Sequence, residues 1–287
     1  FAVLFPAYKE DKVIIPAIYS FLQQDYPREL YDIIVISDQM QESTNEALRQ
    51  LPVRLLIADY TDSSKAKAMS LAMNATADIP YDAVVIMDAD NTAGTSFLSE
   101  LNPVFQSGAR AVQAHRTAKN TNTDIAVLDA ASEEINNSIF RSGHIALGLS
   151  SALIGSGMAL EACWFRQHIH LLETAGEDKE MEALLLKQRI HIEYLEHVYV
   201  KDEKTQKKEG IKNQRKRWIA AQFDSLVRTL PDFPKELLRG NIDYCDKVFQ
   251  WTLLPRIILI FCTFFFTILV TLVSPYSSIK WWILAFA

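Results

Sequence analysis

The stretch VVIMDADNTAGTSF, residues 84–97, decides how the chain is organised, because an uninterrupted apolar run ends in two carboxylates. The four apolar residues from Val84 to Met87 are typical of a strand that is buried on both faces of a parallel sheet. Asp88 and Asp90 follow at once, where the strand must leave the core. Ligands bind to α/β sheets outside the carboxyl ends of the strands. The stretch therefore predicts an acidic edge that faces a cleft.

The first hundred residues alternate between strand-like and helix-like patterns, which indicates an α/β fold with a parallel sheet covered by helices on both faces. The predicted strands are Ala2–Phe5, Asp32–Ile36, Val53–Ile57 and Ala83–Met87. The predicted helices between them are Lys12–Gln24, Glu42–Gln50 and Ser63–Ala75. Further along, the patterns predict helices over Asp124–Arg141 and Lys179–Gln188 and a strand over His191–Val200.

Polar side chains follow three of the predicted strands, at Tyr8 and Glu10, at Asp38, and at Asp88 and Asp90. Parallel strands end at one common edge, so we expect these side chains to lie together. Two carboxylates separated by one residue can hold Mg²⁺ or Mn²⁺, which prefer oxygen ligands and bridge substrate phosphates. Taken alone, the two aspartates are equally consistent with a solvated turn at the end of a strand.

Three more motifs carry charged groups that suit chemistry. Lys65 opens a predicted helix, where an anion is favoured. Glu177-Asp178 also opens a helix, and the pair is consistent with a cap at the helix dipole or with a general base. In Gln214-x-x-Arg217-Trp218 the guanidinium can pair with phosphate, and the indole offers a flat face to a sugar ring. The last motif would also suit a membrane surface.

The C-terminal part of the chain is apolar. Residues 257–273 contain no charged side chain, and these 17 residues reach the lower limit of about 17–25 for a membrane-spanning helix. The preceding region, Trp218 to Trp251, mixes apolar and charged residues and predicts helices in a membrane interface. A buried core helix with a surface helix is the alternative. The basic residues that precede the predicted span, and that place the large domain in the cytoplasm, are Lys235, Arg239, Lys247 and Arg256.

The composition limits the class of partner. The chain has 287 residues with a net charge of −6, so we expect no nucleic-acid partner. Its three cysteines have no metal-binding spacing, which argues against a zinc site. The chain begins inside a predicted strand and ends in an apolar run, and we therefore expect it to be a piece of a longer protein.

The order of the motifs resembles that of the membrane-bound family 2 glycosyltransferases, which include cellulose, hyaluronan, chitin and poly-N-acetylglucosamine synthases. The resemblance extends from Phe5 to about Arg256. Its most specific element is Gln-x-x-Arg-Trp, which begins 36 positions after Asp178. The motifs that carry it, in order, are Pro6-Ala7-Tyr8 with Glu10, Asp38, Lys65-Ala66, Asp88-x-Asp90, Gly176-Glu177-Asp178 and Gln214-x-x-Arg217-Trp218.

The resemblance implies a role for each of these side chains. Asp178 would be the catalytic base, Glu177 would support it, and Asp90 would hold the metal, Mg²⁺ or Mn²⁺. The residues implied in binding the nucleotide sugar are Tyr8, Glu10 and Asp38 at the base and ribose, Lys65 at the phosphates and Asp88 at the sugar. The residues implied in binding the diphosphate and the acceptor sugar are Gln214, Arg217 and Trp218. The turn Gly155-Ser156-Gly157 is similar to one that lies beside the acceptor.

The resemblance also implies an architecture and a reaction. Residues 1–217 would form a cytoplasmic, GT-A-like (Rossmann-like) domain with a mostly parallel sheet. Residues 218–255 would form interfacial helices, and residues 256–287 one or more transmembrane segments in the inner membrane. The implied reaction is inverting, metal-dependent transfer of a sugar from a nucleotide sugar, usually a UDP-sugar, to a growing polysaccharide. The lipid bilayer and further membrane subunits are the implied partners.

Three other functions fit some of the same motifs. A single-sugar transferase that acts on a lipid acceptor shares the Arg-Trp element. A nucleotide-sugar-binding membrane protein without turnover would need no base at Asp178. A metal-dependent nucleotidyltransferase shares the sheet and its acids but gives no role to Trp218. The sequence does not identify the donor sugar.

Overall fold

The computed structural model of the chain describes residues 1–174, 176–204, 208–253 and 256–286. Within these ranges the chain forms an eight-stranded mixed sheet with helices on both faces. The strands are β1 (Ala2–Tyr8), β2 (Asp32–Asp38), β3 (Arg54–Ala58), β4 (Ala83–Ile86), β5 (Thr92–Ala93), β6 (Ala111–Ala118), β7 (Met158–Glu161) and β8 (Ile192–Asp202).

The helices fill the connections between the strands and form the whole C-terminal part. They are α1 (Ile14–Leu22), α2 (Glu42–Arg49), α3 (Lys65–Ala75), α4 (Phe97–Gln106), α5 (Asp124–Asn137), α6 (Gly143–Ala146), α7 (Ala162–His168), α8 (Glu177–Lys187), α9 (Lys208–Thr229), α10 (Phe233–Leu238), α11 (Ile242–Thr252), α12 (Arg256–Val273) and α13 (Pro275–Phe286). A π-helical turn, Ser138–Ser142, continues α5.

The first four strands are parallel neighbours in the order β3-β2-β1-β4, as the alternating pattern predicts. The register pairs Tyr8 with Asp38, so the ends of β1 and β2 lie side by side. The predicted edge of acidic and polar residues is therefore present at the carboxyl ends of these strands.

The other half of the sheet is mixed, in the order β7-β6-β8-β5 beyond β4. Strand β7 is antiparallel to both β4 and β6, and β5 is antiparallel to β8. The sequence predicts β8 but neither β6 nor β7. Strand β6 contains the buried polar residues Gln113 and Arg116, which interrupt its apolar pattern, and β7 has only four residues. The predominantly parallel sheet is correct for the first half of the domain.

The core lies on both faces of the sheet, because alternate side chains of a strand point to opposite faces. On one face, Leu4 of β1 packs in a cluster that includes Met69 of α3. On the other face, Phe5 packs edge to face on Phe21 of α1, with ring centroids 5.3 Å apart. Phe21 in turn contacts Phe97 of α4 at 5.6 Å. The predicted covering of both faces by helices is confirmed.

Helix α11 packs against α8, α9 and α10. Its Tyr244, Val248 and Trp251 are buried, and the Tyr244 hydroxyl donates to the carbonyl of Thr229 at 3.0 Å. Lys247, one of the four basic residues that precede the predicted span, is only 2% exposed. Its buried charge therefore does not support the cytoplasmic location, which stays a prediction. The side chain of Arg256 lies outside the described part of the chain.

The structure does not support the predicted transmembrane segment over residues 256–287. The apolar run is divided into α12 and α13 at Ser274, because Pro275 has no N–H to continue the helical hydrogen bonds. The two helices contact each other through Phe266 and Trp281, whose ring centroids are 4.8 Å apart. Among the helices in the described ranges, none combines the length and the apolar character needed to cross a bilayer.

We expect Phe21→Ala to lower the free energy of unfolding by about 3–5 kcal/mol, because it leaves a cavity between two buried aromatic rings. Leu30→Ala, at a leucine that is 52% exposed, is the control and should change stability by less than about 0.5 kcal/mol. Urea unfolding of both variants measures this difference. Equal effects of the two substitutions would contradict the described core.

Candidate active site

Strand pairing builds the first part of the site. Strands β4 and β7 are neighbours, and the amide of Gly157 donates to the carbonyl of Ile86 at 2.9 Å. This places Ser156, which precedes β7, next to Asp88, which follows β4. The amide of Asp88 donates to the Ser156 hydroxyl at 2.9 Å. The turn at Gly155-Ser156-Gly157 thus lies directly against the acidic edge.

Lys65, the first residue of α3, lies at the centre of the site. Its ammonium donates to the carbonyl of Gly155 at 2.7 Å and pairs with the carboxylate of Asp88 at 2.5 Å. The carboxylate of Glu177 is 3.7 Å away. Burial disfavours the ammonium, but the charges of Asp88, Glu177 and Asp178 raise the pKa of Lys65 above its ordinary value. The ammonium is therefore charged, and its present partners are the acids around it.

Glu177 and Asp178 open α8 beside the Lys65 ammonium, and the space around this ammonium between the acids and Gly155 is called the hollow below. A Cβ atom on Gly155 would lie 3.7 Å from the Lys65 ammonium and 3.9 Å from Asp178 Oδ2, so Lys65 and Asp178 flank the same glycine. The backbone amide of Lys179 donates to Asp178 Oδ1 at 2.9 Å. Burial raises the pKa of Glu177, the charge of Lys65 opposes this rise, and the charge of Asp178 adds to it. The structure thus brings together residues that are more than 100 positions apart.

Asp90 is held by its neighbour in the sequence. The side-chain nitrogen of Asn91, Nδ2, donates to Asp90 Oδ1 at 2.9 Å and to Asp202 Oδ1 at 3.0 Å. Asn91 is fully buried, and its side-chain oxygen, Oδ1, accepts a hydrogen bond from the Ser156 hydroxyl. Burial, followed by the charges of Asp202 and Asp88, raises the pKa of Asp90 to about 7. Asp90 is therefore partly protonated near neutral pH in the absence of a cation, and a cation bound beside it would favour its charged form.

Next to the acidic edge, on the buried side of Asp202, charged side chains pair with one another. Lys204 lies between two carboxylates, at 2.8 Å from Asp202 and 3.2 Å from Glu133. Arg116 pairs with Glu133 at 2.8 Å. Sequence reasoning missed Asn91, Asp202 and this network, since none of them belongs to a motif. The one signal in the sequence is Arg116 itself, because a charged residue within a strand needs a buried partner of opposite charge.

The side chains present fit a divalent cation. In the described ranges no group of three or more His, Cys, Asp or Glu is arranged to hold a metal by itself. Mg²⁺ is commonly held by one or two carboxylates together with substrate phosphates, which is the set that this edge supplies. Asp90, with its raised pKa, and Asp88, beside the charged Lys65, would hold the ion. The prediction of Asp90 as the metal ligand stays a prediction.

The three residues predicted to bind the base and ribose lie at the ends of β1 and β2. Asp38 is 3% exposed, and within the described residues its Oδ1 has no hydrogen-bond partner. A buried acceptor without a partner costs about 1–3 kcal/mol, so a donor on a ligand would be favoured there. Tyr8 is exposed, and its hydroxyl is 3.4 Å from Gln39 Oε1. Partial burial, and then the charge of Asp88, raises the pKa of Glu10.

The Gln-x-x-Arg-Trp motif lies on α9, which passes close to the start of α8. A Cβ atom on Gly176 would be 2.8 Å from the Cβ of Ala221. Gln214 and Arg217 share a helix face with Ala221, because they are seven and four positions before it. In the described part of the chain, no hydrogen bond or ion pair joins Arg217 or Trp218 to the lysine and acids of the hollow. Trp218 is 42% exposed and is accessible to a ligand.

In metal-free protein, we expect the stability of the wild type to fall relative to Asp90→Asn as the pH rises from 5 to 8. The folded-state pKa of about 7 lies above the ordinary value of 3.8, so the folded state holds a proton that the unfolded state has already lost. The relative loss should be about 2–3 kcal/mol, because each pH unit between pH 5 and the folded-state pKa contributes about 1.4 kcal/mol and little is lost above it. Urea unfolding in the presence of a chelator measures it. Parallel pH profiles of the two proteins would contradict the raised pKa.

We expect Asn91→Ala to weaken Mn²⁺ binding about 10–100-fold, because it removes the group that fixes Asp90 against Asp202. Titration with Mn²⁺ alone, followed by electron paramagnetic resonance of the free ion, measures the affinity. Asn74→Ala, at an exposed position of α3, is the matched control and should bind Mn²⁺ as the wild type does. Equal affinities of the two variants would show that Asn91 does not orient a metal ligand.

A family model described as "Glycosyltransferase like family 2" matches residues 1–221. No curated protein sequence matches the chain significantly. Among solved structures, the mannosyltransferase PcManGT from Pyrobaculum calidifontis, in complex with GDP-Man and Mn²⁺, has a TM-score of 0.59 and 17% identity. That match covers 99% of this chain and 85% of the other.

Two further structures have a similar fold. S. aureus TarS 1–349 in complex with UDP has a TM-score of 0.54 and 13% identity, and the match covers 80% of this chain and 65% of that one. The chain thus spans less than two thirds of that fragment. M. tuberculosis glucosyl-3-phosphoglycerate synthase has a TM-score of 0.52 and 16% identity, with 78% and 79% covered. At these identities the likeness establishes a GT-A-like α/β fold. The family match over residues 1–221, which is more than half of the chain, shows that this chain belongs to glycosyltransferase family 2.

Proposed function

We propose that this chain transfers a sugar from a nucleotide sugar, with inversion at the anomeric carbon, to a growing polysaccharide. The observation that carries the proposal is the position of Lys65, between Asp88 and Glu177 and beside Asp178. It supports a single hollow in which a diphosphate, a sugar and a base meet. The predicted roles of the motifs need such a hollow.

Asp178 is the proposed base. Its carboxylate takes the proton of an acceptor hydroxyl, and the hydroxyl oxygen attacks the anomeric carbon from the side opposite the diphosphate. The bond between that carbon and the diphosphate oxygen breaks, and the nucleoside diphosphate leaves with the electron pair. Glu177 faces Lys65 at 3.7 Å and helps to hold the lysine in place.

Positive groups stabilise the leaving diphosphate. Lys65 is charged and lies beside the hollow, and Arg217 is on the face of α9 that passes the start of α8. A divalent cation held by Asp90 and Asp88 would neutralise charge on the diphosphate oxygens. Trp218 offers an exposed indole face to the acceptor sugar. Such groups act strongly because the site is partly removed from water.

The proposed donor is a UDP-sugar. The unpartnered carboxylate oxygen of Asp38 can accept a hydrogen bond from the base or the ribose, and Tyr8 lies beside it in the register of β1 and β2. TarS has been crystallised with UDP and with UDP-GlcNAc, which supports this choice of nucleotide. PcManGT has been crystallised with GDP-Man, so a GDP-sugar belongs in any donor screen.

A single sugar transfer to a lipid-linked acceptor is the second candidate. It is supported by the exposed apolar side chains of α12 and α13, which would favour an apolar acceptor. The most exposed of them are Phe261, Leu272, Val273 and Tyr276. The location of the domain at the cytoplasmic face of a cell membrane stays a prediction, supported by the same side chains.

Nucleotide release from UDP-glucose, UDP-N-acetylglucosamine, UDP-glucuronate and GDP-mannose, each with Mn²⁺ or Mg²⁺, tests the function directly. A ladder of products of increasing length would support polysaccharide synthesis, and one added sugar would support the second candidate. Binding of UDP without turnover of any donor would refute both. Release of pyrophosphate from a nucleoside triphosphate and a sugar phosphate would indicate a nucleotidyltransferase.

We expect Asp178→Asn to lower kcat about 10²–10⁴-fold and to change the KM for the donor little, because the proposed base acts only on the acceptor proton. Asp62→Asn, at a side chain that is 92% exposed, is the matched control and should keep the activity of the wild type. Steady-state rates of nucleotide release at saturating donor measure both. A kcat of Asp178→Asn within threefold of the wild type would rule out Asp178 as the base.

A further inference from the structure

Helix α11 is far from the acids of the active site in the sequence, but one of its faces holds the segment that leads into the site. Asp243 Oδ1 accepts a hydrogen bond from the amide of Ser150 at 3.0 Å. Its Oδ2 accepts one from the Ser150 hydroxyl at 2.6 Å. One turn later along α11, Asp246 contacts His144 at 3.2 Å. The segment before the turn at Gly155 is thus fixed from the C-terminal part of the chain.

The same face of α11 carries a buried ion pair. The Lys247 ammonium is 2.9 Å from Glu182 Oε1, and both side chains are 3% exposed. That carboxylate oxygen also accepts a hydrogen bond from the backbone amide of Leu153 at 3.1 Å. Lys247 therefore fixes Glu182, and Glu182 fixes the backbone two residues before Gly155.

Leu153 and Glu182, the two partners of this hydrogen bond, are each connected to the active site. From Leu153 the chain runs directly to Gly155, whose carbonyl holds the Lys65 ammonium. Glu182 belongs to α8 and lies one helical turn after Asp178, on the same face of the helix. A displacement at Glu182 would therefore move Asp178 and Gly155 relative to each other.

We propose that Lys247 and Asp243 are positioning residues for glycosyl transfer, through which α11 sets the distance between Asp178 and the Gly155 turn. The inference rests on the proposed function. A buried ion pair is often no more stabilising than a well-packed apolar pair, so stability alone is a weak reason for burying Lys247. Positional accuracy is a stronger one, because a displacement of about 1 Å can cost about 10²-fold in rate.

Two double variants separate position from charge. Both remove the ion pair, and both avoid an unpaired buried charge. In Lys247→Met/Glu182→Gln the side-chain amide oxygen of residue 182 can still accept the hydrogen bond from the amide of Leu153. In Lys247→Met/Glu182→Met the amide of Leu153 has no acceptor. The two variants therefore differ chiefly in whether the backbone amide of Leu153 keeps a hydrogen-bond acceptor at position 182.

We expect the methionine–glutamine variant to keep kcat within about threefold of the wild type. The methionine–methionine variant should lose about 10–100-fold in kcat, with a donor KM within about threefold. Asp243→Asn should also lower kcat, because one oxygen that holds Ser150 is replaced by a donor. Equal kcat values in the two double variants would overturn the proposal, since the pair would then serve stability alone.

Two single variants are the controls. Tyr244→Phe removes a hydrogen bond from α11 to Thr229, and Lys187→Met removes a pair at 2.5 Å between α8 and Asp232. Among the described residues, neither side chain forms a hydrogen bond or ion pair with the segment from His144 to Gly157, so both variants should keep kcat. A loss in Tyr244→Phe as large as that in the methionine–methionine variant would contradict the assignment, because any loosening of α11 would then suffice.

Hydrogen exchange gives a readout that needs no donor. The amides of residues 150–157 should exchange at least tenfold faster in the methionine–methionine variant than in the methionine–glutamine variant, while those of α11 exchange equally in both. Equal exchange over residues 150–157 would overturn the positioning role. The wild type could turn over no donor while the two double variants still differed in exchange over residues 150–157. That result would refute the proposed reaction but would support the role of α11 in holding this segment.

Discussion

The structure depends on one ammonium group among carboxylates. Lys65 reaches Asp88, Glu177 and the carbonyl of Gly155 from the start of α3, and these groups come from three distant parts of the sequence. Burial alone would lower its pKa, but the surrounding acids raise it. The charge of Lys65 balances the acids in the absence of a ligand. A bound diphosphate would compete with those acids for the same ammonium, which links donor binding to the arrangement of the hollow.

The position and the charge of Asp90 at the acidic edge depend on neighbours that belong to no sequence motif. Asp90 is surrounded by negative charge and shares Asn91 with Asp202, while Lys204 balances Asp202 from the buried side. If Asp90 holds a metal as proposed, these groups would orient it without touching the metal. The two parts of the site differ in chemistry, since Lys65 offers a positive charge to an anion and the carboxylates around Asp90 offer oxygen ligands to a cation.

The C-terminal helices are part of the catalytic domain's construction. Helix α9 contacts Gly176 at the start of α8, and α11 holds both the segment at Ser150 and, through Glu182, the backbone at Leu153. Helices α12 and α13 instead expose many apolar side chains.

The sequence by itself determined the first half of the fold, because alternating apolar strands and helices admit few arrangements other than a covered parallel sheet. It also supplied the family, since the order and spacing of Asp88-x-Asp90, Glu177-Asp178 and the Gln-x-x-Arg-Trp motif are local patterns. Only the tertiary structure decided which strands are antiparallel, that Lys247 is buried against Glu182, and that Asn91 and Asp202 meet beside Asp90. These contacts join positions as much as 111 residues apart. Their residues are unremarkable in the sequence, because a buried charge is recognised only by the partner that folding brings to it.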